Sequence, residues 1–76
     1  MSIITLDILP LNSSGKIISL NCTGPIHRRL LDLGLVKNTS IKTRLISPFG
    51  DPTAYEVRGS TIALRKEDAC FISCEY

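Results

Sequence analysis

Between Pro25 and Leu35 the apolar positions Ile26, Leu30 and Leu33 recur at spacings of four and three, which lines one face of a short helix over about residues 25–33. Pro25 suits the first turn, where no N–H is needed and φ is already helical, and Thr23 or Gly24 stands in the capping place. Gly34 supplies the left-handed residue that ends the helix, and Leu35 packs back on Leu30 in a Schellman closure. A helix of about nine residues does not hold itself together in water, so it must pack on something. The rest of the chain offers strands.

Lys16 to Asn21 reads as a strand with Ile18 and Leu20 on one face. Ser40 to Ser47 alternates, with Ile41, Thr43 and Leu45 on one side and Lys42, Arg44 and Ile46 on the other. Thr53–Arg58 and Thr61–Arg65 flank Gly59-Ser60, a two-residue hairpin loop of the glycine-first type. That loop predicts Arg58 opposite Thr61, Val57 opposite Ile62, Glu56 opposite Ala63 and Tyr55 opposite Leu64. Tyr55, Val57, Ile62 and Leu64 then share one face, and Glu56 lies diagonal to Arg65 on the other. Lys66–Ala69 reads as one helical turn, and Phe71–Cys74 as a last strand with Phe71 and Ser73 opposing Ile72 and Cys74. Thr5–Leu9 fits a turn of helix or an extended lead-in equally well. Asn12–Gly15 is a turn cluster, and Pro48–Pro52 a loop stiffened by two prolines. The tally is a mainly β chain of about five short strands and one short helix. A small, strongly bent antiparallel barrel closes such strands with few free edges.

With 76 residues, 43% of them hydrophobic, the chain has room for one domain, 1–76, with a small core. No apolar run approaches the roughly 18 residues of a membrane span. Met1–Leu11 has no basic residue before its apolar stretch, so a signal peptide is not expected and the cytoplasm is the expected compartment. The net charge of +2 is unevenly placed: residues 1–44 carry +4 and the remainder −2. Such a dipole suits an electrostatically steered protein partner better than nucleic acid. Three cysteines without CxxC spacing suggest reduced thiols rather than a disulfide framework.

The order RRLLDLGL, a strand, SPFGDP, a strand ending in VRG, and IALRKEDA resembles the FeoA family, the small cytosolic component of bacterial ferrous iron uptake, whose domain also ends iron-dependent repressors. The likeness runs from about Leu6 to Ile72. It implies an SH3-like barrel with the helix inserted after the first long strand. It also implies a partner, FeoB, a membrane permease with a cytosolic GTP-binding domain, so that membrane contact would come only through that partner. Val36–Thr39 stands where the family has a Pro-Gly turn; Asn38, able to take positive φ, is expected to preserve it.

No acid–base pair, nucleophile elbow or phosphate loop is present, so no catalysis is expected, and no cofactor either. Cys22, His27, Cys70 and Cys74 are the candidate ligands of a metal-responsive alternative. Without ligand spacing, the plainer reading makes the cysteines small buried hydrophobes and His27 a surface residue. Arg28 and Arg29 point about 100° apart on the helix. One can pair with Asp32, and they form either a solvated face or a basic contact surface. Leu31 either completes the core or joins Arg28 in an apolar and basic patch. Phe49 reads first as a lid folded on the core and second as a projecting anchor, with Pro48, Gly50 and Asp51 shaping a rigid contact loop. The partner-binding set is therefore Arg28, Arg29, Leu31, Asp32, Pro48, Phe49, Gly50 and Asp51. Four aromatics and no tryptophan argue against a nucleic-acid or peptide-binding SH3-like module, and a weak homo-oligomer stays open.

Overall fold

The computed structural model describes residues 2–76. Six strands run in the order β1 (Ile3–Thr5), β2 (Ser14–Leu20), β3 (Ser40–Ile46), β4 (Thr53–Val57), β5 (Ser60–Leu64) and β6 (Ile72–Glu75). Helix α1 (Pro25–Asp32) joins β2 to β3, α2 (Lys66–Ala69) joins β5 to β6, and a 3-10 turn, Leu6–Ile8, follows β1. All pairings are antiparallel, in one sheet ordered β1-β6-β2-β3-β4-β5. The mainly β architecture with one inserted helix is the one expected. The sheet is not closed by pairing of β1 with β5. Of the two readings of Thr5–Leu9, the turn of helix is the one found, as the 3-10 turn; β1, not among the five strands expected, is a sixth, paired with β6.

Two bulges decide which side chains meet the core. On β2, Ile17 pairs with Cys74 but Ser19 with Ser73, leaving Ile18 as the extra residue. Ile17 is therefore buried, and the phase shift beyond it returns Leu20 to the core, whereas Ile18 and Leu20 had been expected together. On β3, Thr43 pairs with Tyr55 but Leu45 with Ala54, so Arg44 is the extra residue. Ile41 and Thr43 face inward as the alternation demands, but the shift turns Leu45 out to 65% exposure.

In the β4–β5 hairpin the turn residues are Arg58 and Gly59, both at positive φ (52° and 81°), which is the primed turn that matches strand twist. Val57 therefore meets Ser60 and Tyr55 meets Ile62, a register two residues from the expected one. A shift of two preserves the faces, and Tyr55, Val57 and Leu64 are buried with Ile62 packed against them. The expected Glu56–Arg65 pair does not form: Glu56 meets Arg44 across β3 at 3.5 Å, and Arg65 lies 3.9 Å from Asp51.

The core joins Leu6, Leu9, Ile17, Leu30, Leu35, Ile41, Tyr55, Val57, Leu64, Ala69, Ile72 and Cys74. Helix α1 contributes Leu30 alone; Ile26, Leu31 and Leu33 are each a little over one-third exposed, so the expected inward trio reduces to its central member. Its end is the Schellman closure anticipated: Gly34, at φ 91°, donates to the Leu31 carbonyl and Leu35 to that of Leu30, at 2.9 and 3.1 Å. Asn38 takes φ 72° in the next turn, the positive φ expected of it there.

Candidate docking surface

Because only Leu30 points into the core, α1 lies on the molecule as a surface ridge with two usable flanks. On one, Gly24, Pro25, His27, Arg28, Leu31 and Asp32 line a shallow hollow. Leu31 thus joins Arg28 in an apolar and basic patch. On the other flank α1 faces α2, and Arg29 Nη2 donates to Asp68 Oδ2 at 2.6 Å. Asp68 is well covered, so this pair locks the helix to α2. Arg29 is therefore committed internally, Arg28 is the cation left outward, and no Arg28–Asp32 pair forms among the described residues. The exposed Ile26 and Leu33 line shallow grooves on either side of the Arg29–Asp68 bridge.

The 48–52 loop is braced from within. Ser47 Oγ donates to the Asp51 carbonyl at 2.9 Å and accepts from the Asp51 N–H at 3.1 Å, while the Gly50 N–H reaches the Ser47 carbonyl at 2.8 Å. The Asp51 carboxylate accepts the Lys66 N–H at 2.8 Å, which occupies an otherwise free donor at the start of α2 and pins the loop to it. Asp51 is thus a brace rather than a free contact. Pro48 and Gly50 are exposed, and Phe49 is 95% exposed. The lid reading of Phe49 is overturned, because β3 and β4 carry the loop beyond the core. Leu45 and Ile46, both exposed, extend the apolar tip. Ile46 was expected on the outward side with Lys42 and Arg44; Leu45 was expected inward, and the bulge at Arg44 that turns it out has no local signature.

The candidate ligands do not assemble. Cys22 is half-buried against the core, Cys70 is exposed, and Cys74 is fully buried, so only Cys74 is the buried hydrophobe expected. Burial pushes the Cys74 thiol above its ordinary range. His27 is half-buried, with Nδ1 covered and without a hydrogen-bond partner among the described residues. No group of three His, Cys, Asp or Glu side chains is placed to hold a metal ion among the described residues. No helix is long and apolar enough to cross a membrane among them.

A family model described as the FeoA domain matches residues 4–76. The solution structure of iron(II) transport protein A from Clostridium thermocellum is 29% identical, with a TM-score of 0.92 over 95% of this chain. The match spans 44% of that chain, so the present chain is less than half its length. A FeoA-like protein from Clostridium acetobutylicum is 32% identical, with a TM-score of 0.90 over 99% of this chain and 87% of that one. Stenotrophomonas maltophilia FeoA, solved in complex with zinc and described as an SH3 domain protein, is 30% identical, with a TM-score of 0.85 over 95% of this chain and 89% of that one. In fold alone the likeness extends to T. acidophilum IdeR, 21% identical with a TM-score of 0.86 over 99% of this chain and 34% of that one. With the family model matched almost end to end on the fold these proteins share, the chain belongs to the FeoA family.

Proposed function

We propose that this chain is a non-enzymatic, cytosolic accessory of bacterial ferrous iron uptake that docks on a FeoB-type permease carrying a GTP-binding domain. Family membership supports the iron-transport context, and the S. maltophilia relative is described as a candidate activating factor of ferrous iron transport. The observation that carries the docking reading is Phe49, almost wholly exposed on a loop whose backbone is already fixed. A rigid aromatic loses little entropy on binding, which is what an interface anchor needs. Pro48 and Gly50 shape the tip, and Arg28, Leu31 and Asp32 form a second contact on α1. Arg29 and Asp51, named from sequence as contacts, act in this reading by holding α1 and the loop in place. Docking would bias the permease by touching its states unequally.

Titration of the labelled chain with the isolated GTP-binding domain and with the full permease, each with GDP and a non-hydrolysable GTP analogue, tests this. Amide shifts confined to residues 28–35 and 45–52 are expected in at least one state, and Phe49→Ala should weaken binding about tenfold or more while leaving the fold intact. Absence of binding in every state would overturn the proposal. The metal-responsive alternative draws on the zinc complex of the S. maltophilia relative, but no ligand group among the described residues of this chain supports it.

A further inference from the structure

The outward side of β2, β3 and β4 shares no residue with the docking surface proposed above. Ile17, Ile41, Thr43, Tyr55 and Val57 point to the core, so alternation puts Ser14, Lys16, Ser40, Lys42 and Glu56 on the opposite side. The register sets Lys16 beside Ser40, Ser14 beside Lys42, and Lys42 beside Glu56. One step beyond the Ile41–Val57 pair, Ser40 comes alongside Arg58 at the hairpin turn. Ser14, Ser40, Lys42, Glu56 and Arg58 together line a shallow hollow.

The chemistry of this hollow is lopsided. Its only carboxylate, Glu56, is already met by Arg44 at 3.5 Å. Lys16, Lys42 and Arg58 have no ion-pair partner among the described residues. Arg58 reaches only the Thr39 hydroxyl, at 3.4 Å, which leaves most of its donors free. The hydroxyls of Ser14 and Ser40 bond to no other group of the chain among the described residues. Cationic donors from β2, β3 and the β4–β5 turn thus outnumber the one carboxylate of the hollow, which is already paired. Charge complementarity asks for carboxylates.

We propose that this face binds an acidic segment of a protein partner, with carboxylates seated between Lys42 and Arg58 over the two serine hydroxyls. A polypeptide fits better than a nucleic acid. Tyr55 is turned inward, so its part of the face offers a base no ring to stack on.

The test uses the full chain, isotopically labelled, and a synthetic peptide of alternating Glu-Glu and Gly at low and high salt. Expected are amide shifts centred on Ser14, Lys16, Ser40, Lys42 and Arg58 that fade at high salt. Lys42→Glu should lower affinity about tenfold, whereas Lys66→Glu, which changes net charge equally, should lower it far less. No binding at low salt, shifts spread evenly over all basic residues, or equal losses from the two variants would each overturn the proposal. Tighter binding of an oligothymidylate at the same residues would overturn it in favour of a nucleic-acid surface.

Discussion

Thr43 is the buried polar residue on which two parts of the chain depend. Its Oγ1 donates to the Leu9 carbonyl at 3.1 Å, joining β3 to the segment after the 3-10 turn, and its own backbone pairs with the Asn12–Ser13 turn. A carbonyl buried at Leu9 and stripped of that donor would have no other partner among the described residues. Thr43→Val keeps shape and β-branching but removes the hydroxyl. It should cost about 1–3 kcal/mol, the penalty of an unsatisfied buried acceptor. Urea unfolding would register this as a lower midpoint at unchanged slope. A midpoint equal to the parent's would show that the carbonyl finds another donor. From sequence Thr43 was placed inward by alternation alone; what its hydroxyl does there depends on Leu9, 34 residues away, and local pattern carries no such pairing.

At the scale of elements, local chemistry was readable wherever one residue type dictates a backbone state. Gly34 ends α1, Asn38 turns the chain and Lys66–Ala69 makes its single turn as expected. Faces were readable where alternation is unbroken, as on β4 and β5. The failures share a cause: each was decided by a partner strand. The extra residues Ile18 and Arg44 exist only relative to β6 and β4, and they exchanged Ile17 for Ile18 and exposed Leu45. Of the candidate site, the exposure of Phe49 and the commitment of Arg29 to Asp68 followed from how far the hairpin projects and where α2 docks, neither of which is a local property. The hairpin misreading is informative as well. Arg58 occupies a position at φ 52° that arginine fills at a cost, in a turn that favours Asn-Gly. Arg58→Asn should therefore stabilise the fold by about 0.5–1 kcal/mol, seen as a raised melting temperature. If melting is unchanged or lower, the Arg58–Thr39 contact outweighs the turn strain.

For the molecule as a whole, stability should depend on pH from the alkaline side. Burial, with the nearby Asp7 carboxylate adding to it, pushes Tyr55 up to about 12 from 10.0. Burial likewise raises the Cys74 thiol above its ordinary 9.0. Both groups are neutral when protonated, and both hold the proton more tightly folded than unfolded. Below the unfolded values their contribution is complete; as pH rises past them the unfolded chain sheds protons that the folded chain keeps, and stability falls until the folded groups also ionise. The expected profile is level from neutrality to about pH 9, then declining toward pH 12 as Cys74 and Tyr55 come into play in turn. Tyr55→Phe, which gives up only a long 3.4 Å bond to the Leu6 carbonyl, should lower neutral stability slightly and flatten the later part of the decline. Cys74→Ala should flatten the earlier part, at a larger cost at neutral pH because it leaves a cavity in the core. Denaturant unfolding across this range for the three proteins separates the contributions. Parallel declines in all of them would mean that neither of these two buried acids governs the alkaline limit of the fold.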